Sequence, residues 1–206
     1  MFKTPKGALE FYKSDNSGIS LQPHPNSNIM PEHRIYYHTH KATVDFLSGT
    51  HLKSLASCFQ ANLRKRIDDS HIGYDWIDMP DLFSFLQSEI LYAALESFCG
   101  PHMLSLNPTF VEDFWNFDRG MIHLLKRYPR WLIPQSWSLR EKCLDAVKKW
   151  HTFAKEHGDE TMEYPDNAQD PVYGTKLMRA RQEYFSKMSP MTTDAIASAD
   201  LGIIWG

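Results

Sequence analysis

From about Pro31 onward, apolar residues recur every three or four positions, and this periodicity predicts a succession of helices. Leu52, Leu55, Ala56, Phe59, Leu63 and Ile67 share one helical face, with Lys53, Arg64 and Asp68 available to the other. That pattern is an amphipathic helix packed on a core. Between Asp81 and Phe98 the apolar arc of Leu82, Phe83, Phe85, Leu86, Ile90, Leu91, Ala94, Leu95 and Phe98 is too wide for a surface helix, so burial on several sides is expected. Gly100 and Pro101 end that helix.

Capping chemistry sets the remaining boundaries. Asn107 before Pro108 predicts a helix start, with a run to about Tyr128. Ser138 and Glu141 form an S-x-x-E capping box opening a helix that Gly158 stops, and the two helices are joined through "PRWLIP". The polar stretch "HGDETMEYPDNAQDPVYG" reads as a loop. After it, "TKLMRARQEYFSKM" and "TTDAIASADLGIIWG" form two more helices, the last capped by Thr192 or Thr193. Residues 1–30, with "SDNSG" and "LQPHPNSN", are expected to be loop-rich, and residues 31–206 helical. The class is mainly α, with little or no sheet.

Composition agrees with a folded chain of 206 residues, 42% hydrophobic and 23% charged, whose net charge of -3 offers no basic face to a nucleic-acid backbone. Cys58, Cys99 and Cys143 are odd in number and widely spaced, which suits reduced thiols. No stretch approaches the length of apolar sequence that a membrane span needs, so the sequence as written reads as anchorless and cytoplasmic.

The common chemical signatures are absent: no G-x-G-x-x-G, no G-x-x-x-x-G-K-[ST], no H-E-x-x-H and no G-x-S-x-G. His38 and His40 in "YYHTHK" would point to different sides of a helix, so surface or capping roles are expected before metal binding. Cys99 ends an apolar helix with no paired His evident, which suits a buried, inert thiol.

A resemblance covers most of the chain. The blocks "FLSGTHLKSLASCFQANL", "LYAALESFCGPHMLSLNPTFVEDFWNFDRGMIHLLKRYPRWLIPQSW", "REKCLDAVKKWHTFAKEH" and "DAIASADLGIIWG" resemble fungal members of the cytochrome P-450 family, the haem-thiolate monooxygenases, near the branch of sterol 7-hydroxylase and prostacyclin synthase. The resemblance implies a single incomplete domain over residues 1–206. On this reading "MFKTPKGALEF" resembles the segment entering the B to C region, the following helices correspond to C through H, and "TTDAIASADLGIIWG" to the first half of helix I.

The same resemblance implies the chemistry. The family hydroxylates apolar small molecules such as sterols, lipids or secondary metabolites, using haem, O2 and electrons from a reductase, at the endoplasmic-reticulum membrane. Its haem iron is held by a cysteine thiolate in a glycine-rich loop downstream of helix I. Nothing in this sequence resembles that loop or the K-helix E-x-x-R pair, so an internal fragment, inactive alone, is expected. Arg34 and His40 stand where helix C meets the haem propionates, with solvated helix surface as their alternative role. Ala199, Gly202 and Ile203 would face haem or substrate, with helix packing as the alternative. A competing reading is a stand-alone helical module that binds a partner or an apolar ligand without catalysis.

Overall fold

The structure is a computed structural model that describes residues 4–48, 50–70, 72, 76–79, 81–158 and 169–205. The first helix lies where loop was expected. Lys6–Ser14 (α1) forms just after Pro5 and buries Ala8 and Phe11 against Ile35, Phe185 and Met188. Nine residues are too few to hold a helix by propensity alone, so this packing is what stabilises it. Asp15 to Met30 is free of helix, in line with its turn-forming composition.

After a 3-10 turn at Pro31–His33, Ile35–Leu47 forms α2 and Thr50–Asp69 forms α3. Leu82–Cys99 (α4) runs antiparallel to α3: Asn62 Nδ2 donates to Ser97 Oγ, and Arg66 pairs with Glu89 two turns away. Asp81 caps α4 by accepting from the Phe83 and Ser84 amides. The expectation that α4 is buried on several sides holds only for its second half, where Ala93, Leu95 and Cys99 are buried. Leu82, Phe83, Leu86 and Ile90 are exposed, Phe83 at 71%.

Gly100 turns with φ +81°, and Pro101 opens a short helix, Pro101–Leu106 (α5), that the sequence signals did not mark. Asn107 consequently ends α5 instead of capping the next helix. Its Nδ2 donates to the Met103 and Ala146 carbonyls, and Phe110–Leu125 (α6) begins after Thr109. The capping box at Ser138 is also displaced, because Pro134 already starts Pro134–His157 (α7). Glu141 instead receives a two-pronged bond from Arg130 at 2.8 and 3.0 Å. Gly158 stops α7 as expected, its amide donating to the Ala154 carbonyl.

Most of the expected loop from His157 to Gly174 lies outside the described residues. At its end, the Asp170 carboxylate accepts from the Val172 and Tyr173 amides, and Trp150 Nε1 donates to the Val172 carbonyl. Lys176–Ser186 (α8) follows, capped by Thr175, and Thr193–Trp205 (α9) follows that. Of the two candidate caps, Thr192 accepts from the Ala195 amide. Among the described residues there is no β-strand, only an isolated bridge between Asp170 and Gly174.

Two apolar clusters form. The larger gathers Leu95, Phe110, Phe114, Phe117, Val147 and Trp150, while the smaller joins α1, the start of α2 and α8. α9 belongs to both, giving Ala197 and Leu201 to the first and Ala195 to the second.

Candidate functional site

Beyond Asp194 in its first turn, α9 carries one further carboxylate, set within an apolar run, and that residue organises a buried polar site. Asp200 is 0% exposed. Arg181 Nε donates to its Oδ1 at 2.7 Å, Gln182 Nε2 to its Oδ2 at 2.7 Å, and His151 Nε2 lies 3.0 Å from Oδ2. Gln182 Nε2 is also 2.9 Å from His151 Nε2. Arg181 Nη1 reaches the Tyr184 hydroxyl, which in turn donates to Thr39 Oγ1 on α2.

Burial alone would raise the Asp200 carboxyl, but the Arg181 charge and the His151 contact outweigh it and hold the group below the usual carboxylate range. Burial pushes the nearby Tyr12 hydroxyl up to about 12, against the opposing pull of Arg181. The signal for this site was present in "ASADLGIIW": a carboxylate inside an apolar helix demands a buried partner. The partners themselves, on α7 and α8, carry no spacing that announces them.

The residues singled out from the sequence fall in different surroundings. Ala199, Gly202 and Ile203 are half-buried on one side of α9. Ala199 packs toward the smaller cluster and Ile203 toward the larger. Two residues beyond Ile203, Trp205 Nε1 donates to Asp118 Oδ1 on α6 at 2.9 Å. Arg34 is buried at the start of α2, where its guanidinium donates to the carbonyls of Leu21 and Ser20 at 2.8 and 2.6 Å and stacks over the Tyr37 ring. His40 is exposed on α2, so the structure does not gather it with Arg34 into one pocket.

The thiols can be tested against a thiolate-ligated haem. An axial thiolate needs a sulfur that ionises readily and faces open space. Burial drives the Cys99 thiol strongly upward, and burial followed by the Asp113 charge pushes Cys143 up to about 12. Cys58 lies within α3, its thiol donating to Gln169 Oε1 and accepting from Asn62 Nδ2. The adjoining cavity, also lined by Phe46, His51 and Thr175, holds about 30 Å³, room for a water molecule and not a macrocycle. The three cysteines of this chain therefore do not fit a haem ligand. Among the described residues, no helix is long and apolar enough to cross a membrane.

Over 185 residues, 88% of its length, the chain is 34% identical to the cytochrome P-450 monooxygenase fsoE of Humicola fuscoatra. The chain belongs to the cytochrome P-450 family. It is also 28% identical over 81% of its length to the cytochrome P-450 monooxygenase efuG of Hormonema carpetanum, and 29% identical over 88% to calL of Penicillium decumbens. This cytochrome P-450 chain spans 31%, 30% and 34% of the length of those three relatives. No family model matches it, and no solved structure does. Every regular element among the described residues is helical, so what these residues contribute to the cytochrome P-450 architecture is helical.

Proposed function

We propose that this chain is the C-to-I helical segment of a fungal haem-thiolate monooxygenase, a single incomplete domain over residues 1–206. The whole protein would hydroxylate an apolar substrate, a sterol, lipid or secondary metabolite, with O2 and electrons from a reductase at the endoplasmic-reticulum membrane. The chain by itself is catalytically inert. The observation that carries this reading is the 34% identity to a cytochrome P-450 monooxygenase, set beside three cysteines whose surroundings oppose a ligand thiolate. Within the whole protein, Ala199, Gly202 and Ile203 would line the haem or substrate side of α9. Arg34 and His40 would meet the propionates, which requires Arg34 to exchange a backbone carbonyl for a carboxylate.

The test is spectroscopic. Purified chain is titrated with haem, reduced and exposed to carbon monoxide. No thiolate-type Soret band is expected. A band that appears, and is lost on substituting any one of Cys58, Cys99 or Cys143, overturns the proposal of inactivity. The exposed stripe of Leu82, Phe83, Leu86 and Ile90 favours one second reading, a helical module that binds a partner without catalysis.

A further inference from the structure

Burying a charge pair such as Arg181 and Asp200 loses hydration, and much of the attraction between the two goes to offset that loss. An Arg–Asp pair replaced by well-packed apolar side chains is often no less stable. The geometry shows what the pair supplies instead. Ahead of Asp200, α9 presents mainly small side chains to its neighbours: Ala195, Ala197 and Ser198 are buried and Ala199 half-buried, while the larger Leu201, Ile203, Ile204 and Trp205 follow it. That small-residue half is smooth and by itself resists turning or sliding weakly, so the contacts that define its position come from Asp200 onward. A slip of one residue turns a helix by about 100° and advances it about 1.5 Å. Three directional contacts from two helices do not survive that movement.

We infer that Asp200 is a positioning residue that fixes the rotation and axial register of α9 against α7 and α8. Two donors come from adjacent positions on α8, Arg181 and Gln182, and the third contact comes from His151 on α7. The two carboxylate oxygens are thus engaged from two helices, which defines both an angle and a height. The register it sets turns Ala199, Gly202 and Ile203 to one shared side, roughly a third of a turn from Asp200. What that side faces rests on the proposed function; the register does not.

Trp205 reports the register, since it sits five residues beyond Asp200 and its indole N–H donates to Asp118 on α6. The experiment records the indole 1H–15N signals of the full chain without haem, with Trp205 assigned through Trp205→Phe. The double variant Arg181→Leu/Asp200→Leu removes both charges together. It is expected to stay folded while its Trp205 signal shifts toward the solvent position or broadens and loses exchange protection. Gln182→Met keeps the ion pair and removes one contact, and a smaller shift in the same direction is expected. A purely stabilising role would lower the melting temperature without moving that signal. If the folded variants keep the native Trp205 signal and its protection, the inference is overturned; should the double variant not fold, Gln182→Met decides alone. Because no haem is present, failure here is distinct from failure of the monooxygenase reading.

Discussion

A Cβ built on Gly174 would lie 2.2 Å from the Gly100 amide nitrogen and 2.7 Å from the Phe98 carbonyl oxygen. Both glycines have positive φ, +75° for Gly174 and +81° for Gly100. The turn before α8 therefore rests directly on the backbone that ends α4.

Gly174→Ala combines left-handed strain with a backbone clash and is expected to cost roughly 3 to 5 kcal/mol in urea unfolding. Gly18 supplies the control: its φ is also +75°, but nothing lies within 4 Å of its Cβ position. Gly18→Ala should cost only about 1 to 2 kcal/mol. Equal losses at the two positions would refute the contact as the cause.

Acid should unfold the chain partly through Asp200. Its folded carboxyl is held below the ordinary range, so the stability it contributes is complete above that range and is lost as pH falls through the folded value. The surrounding titratable groups include Arg181, His151, Tyr12, Tyr184 and Cys99, and Arg181 stays charged throughout. Stability measured from about pH 5 down to pH 2 should therefore fall less steeply for Arg181→Leu/Asp200→Leu than for the native chain. Parallel curves would refute this.

Thiol reagents should distinguish the cysteines. Cys58 is half-buried, whereas Cys99 and Cys143 are buried with thiols pushed upward. In native buffer at neutral pH, labelling and mass mapping should find Cys58 modified first, with the other two reacting only after denaturation. Modification of Cys99 at the rate of Cys58 would contradict the packing of α4.

The exposed half of α4 should bind hydrophobic dyes. Replacing Leu82, Phe83 and Leu86 together by Gln, which suits a helix, should reduce dye fluorescence while changing stability by no more than about 1 kcal/mol. A large loss of stability would mean that these side chains are covered in solution.

Helix identity was legible wherever the apolar period ran long, as in α3, α4 and α7, because the period is a local property; the depth of burial was not, since the expected core-facing stripe of α3 has no buried residue and leaves Leu52, Ala56 and Ile67 exposed. Helix starts were less legible. Asn107 can cap forward or bond backward, and only the proximity of the Ala146 carbonyl decides that it bonds backward. α1 escaped notice because the residues that bury Phe11 lie on distant parts of the chain. The Asp200 site was half legible: the misplaced carboxylate could be read from the chain, but Arg181 and His151 look like ordinary helix-surface residues until α7, α8 and α9 are brought together.

Because α9 closes both apolar clusters, neither is complete until residues near position 200 have left the ribosome. The α3–α4 and α6–α7 hairpins pair neighbours in sequence and can form early. By contrast, the Tyr184 to Thr39 bond joins residues 145 positions apart. Synthesis thus passes through a stage in which helices are present but unclosed apolar faces remain in water. In a cell, the residence time of chaperones on this nascent chain should be governed by the arrival of α9 more than by the formation of any earlier helix.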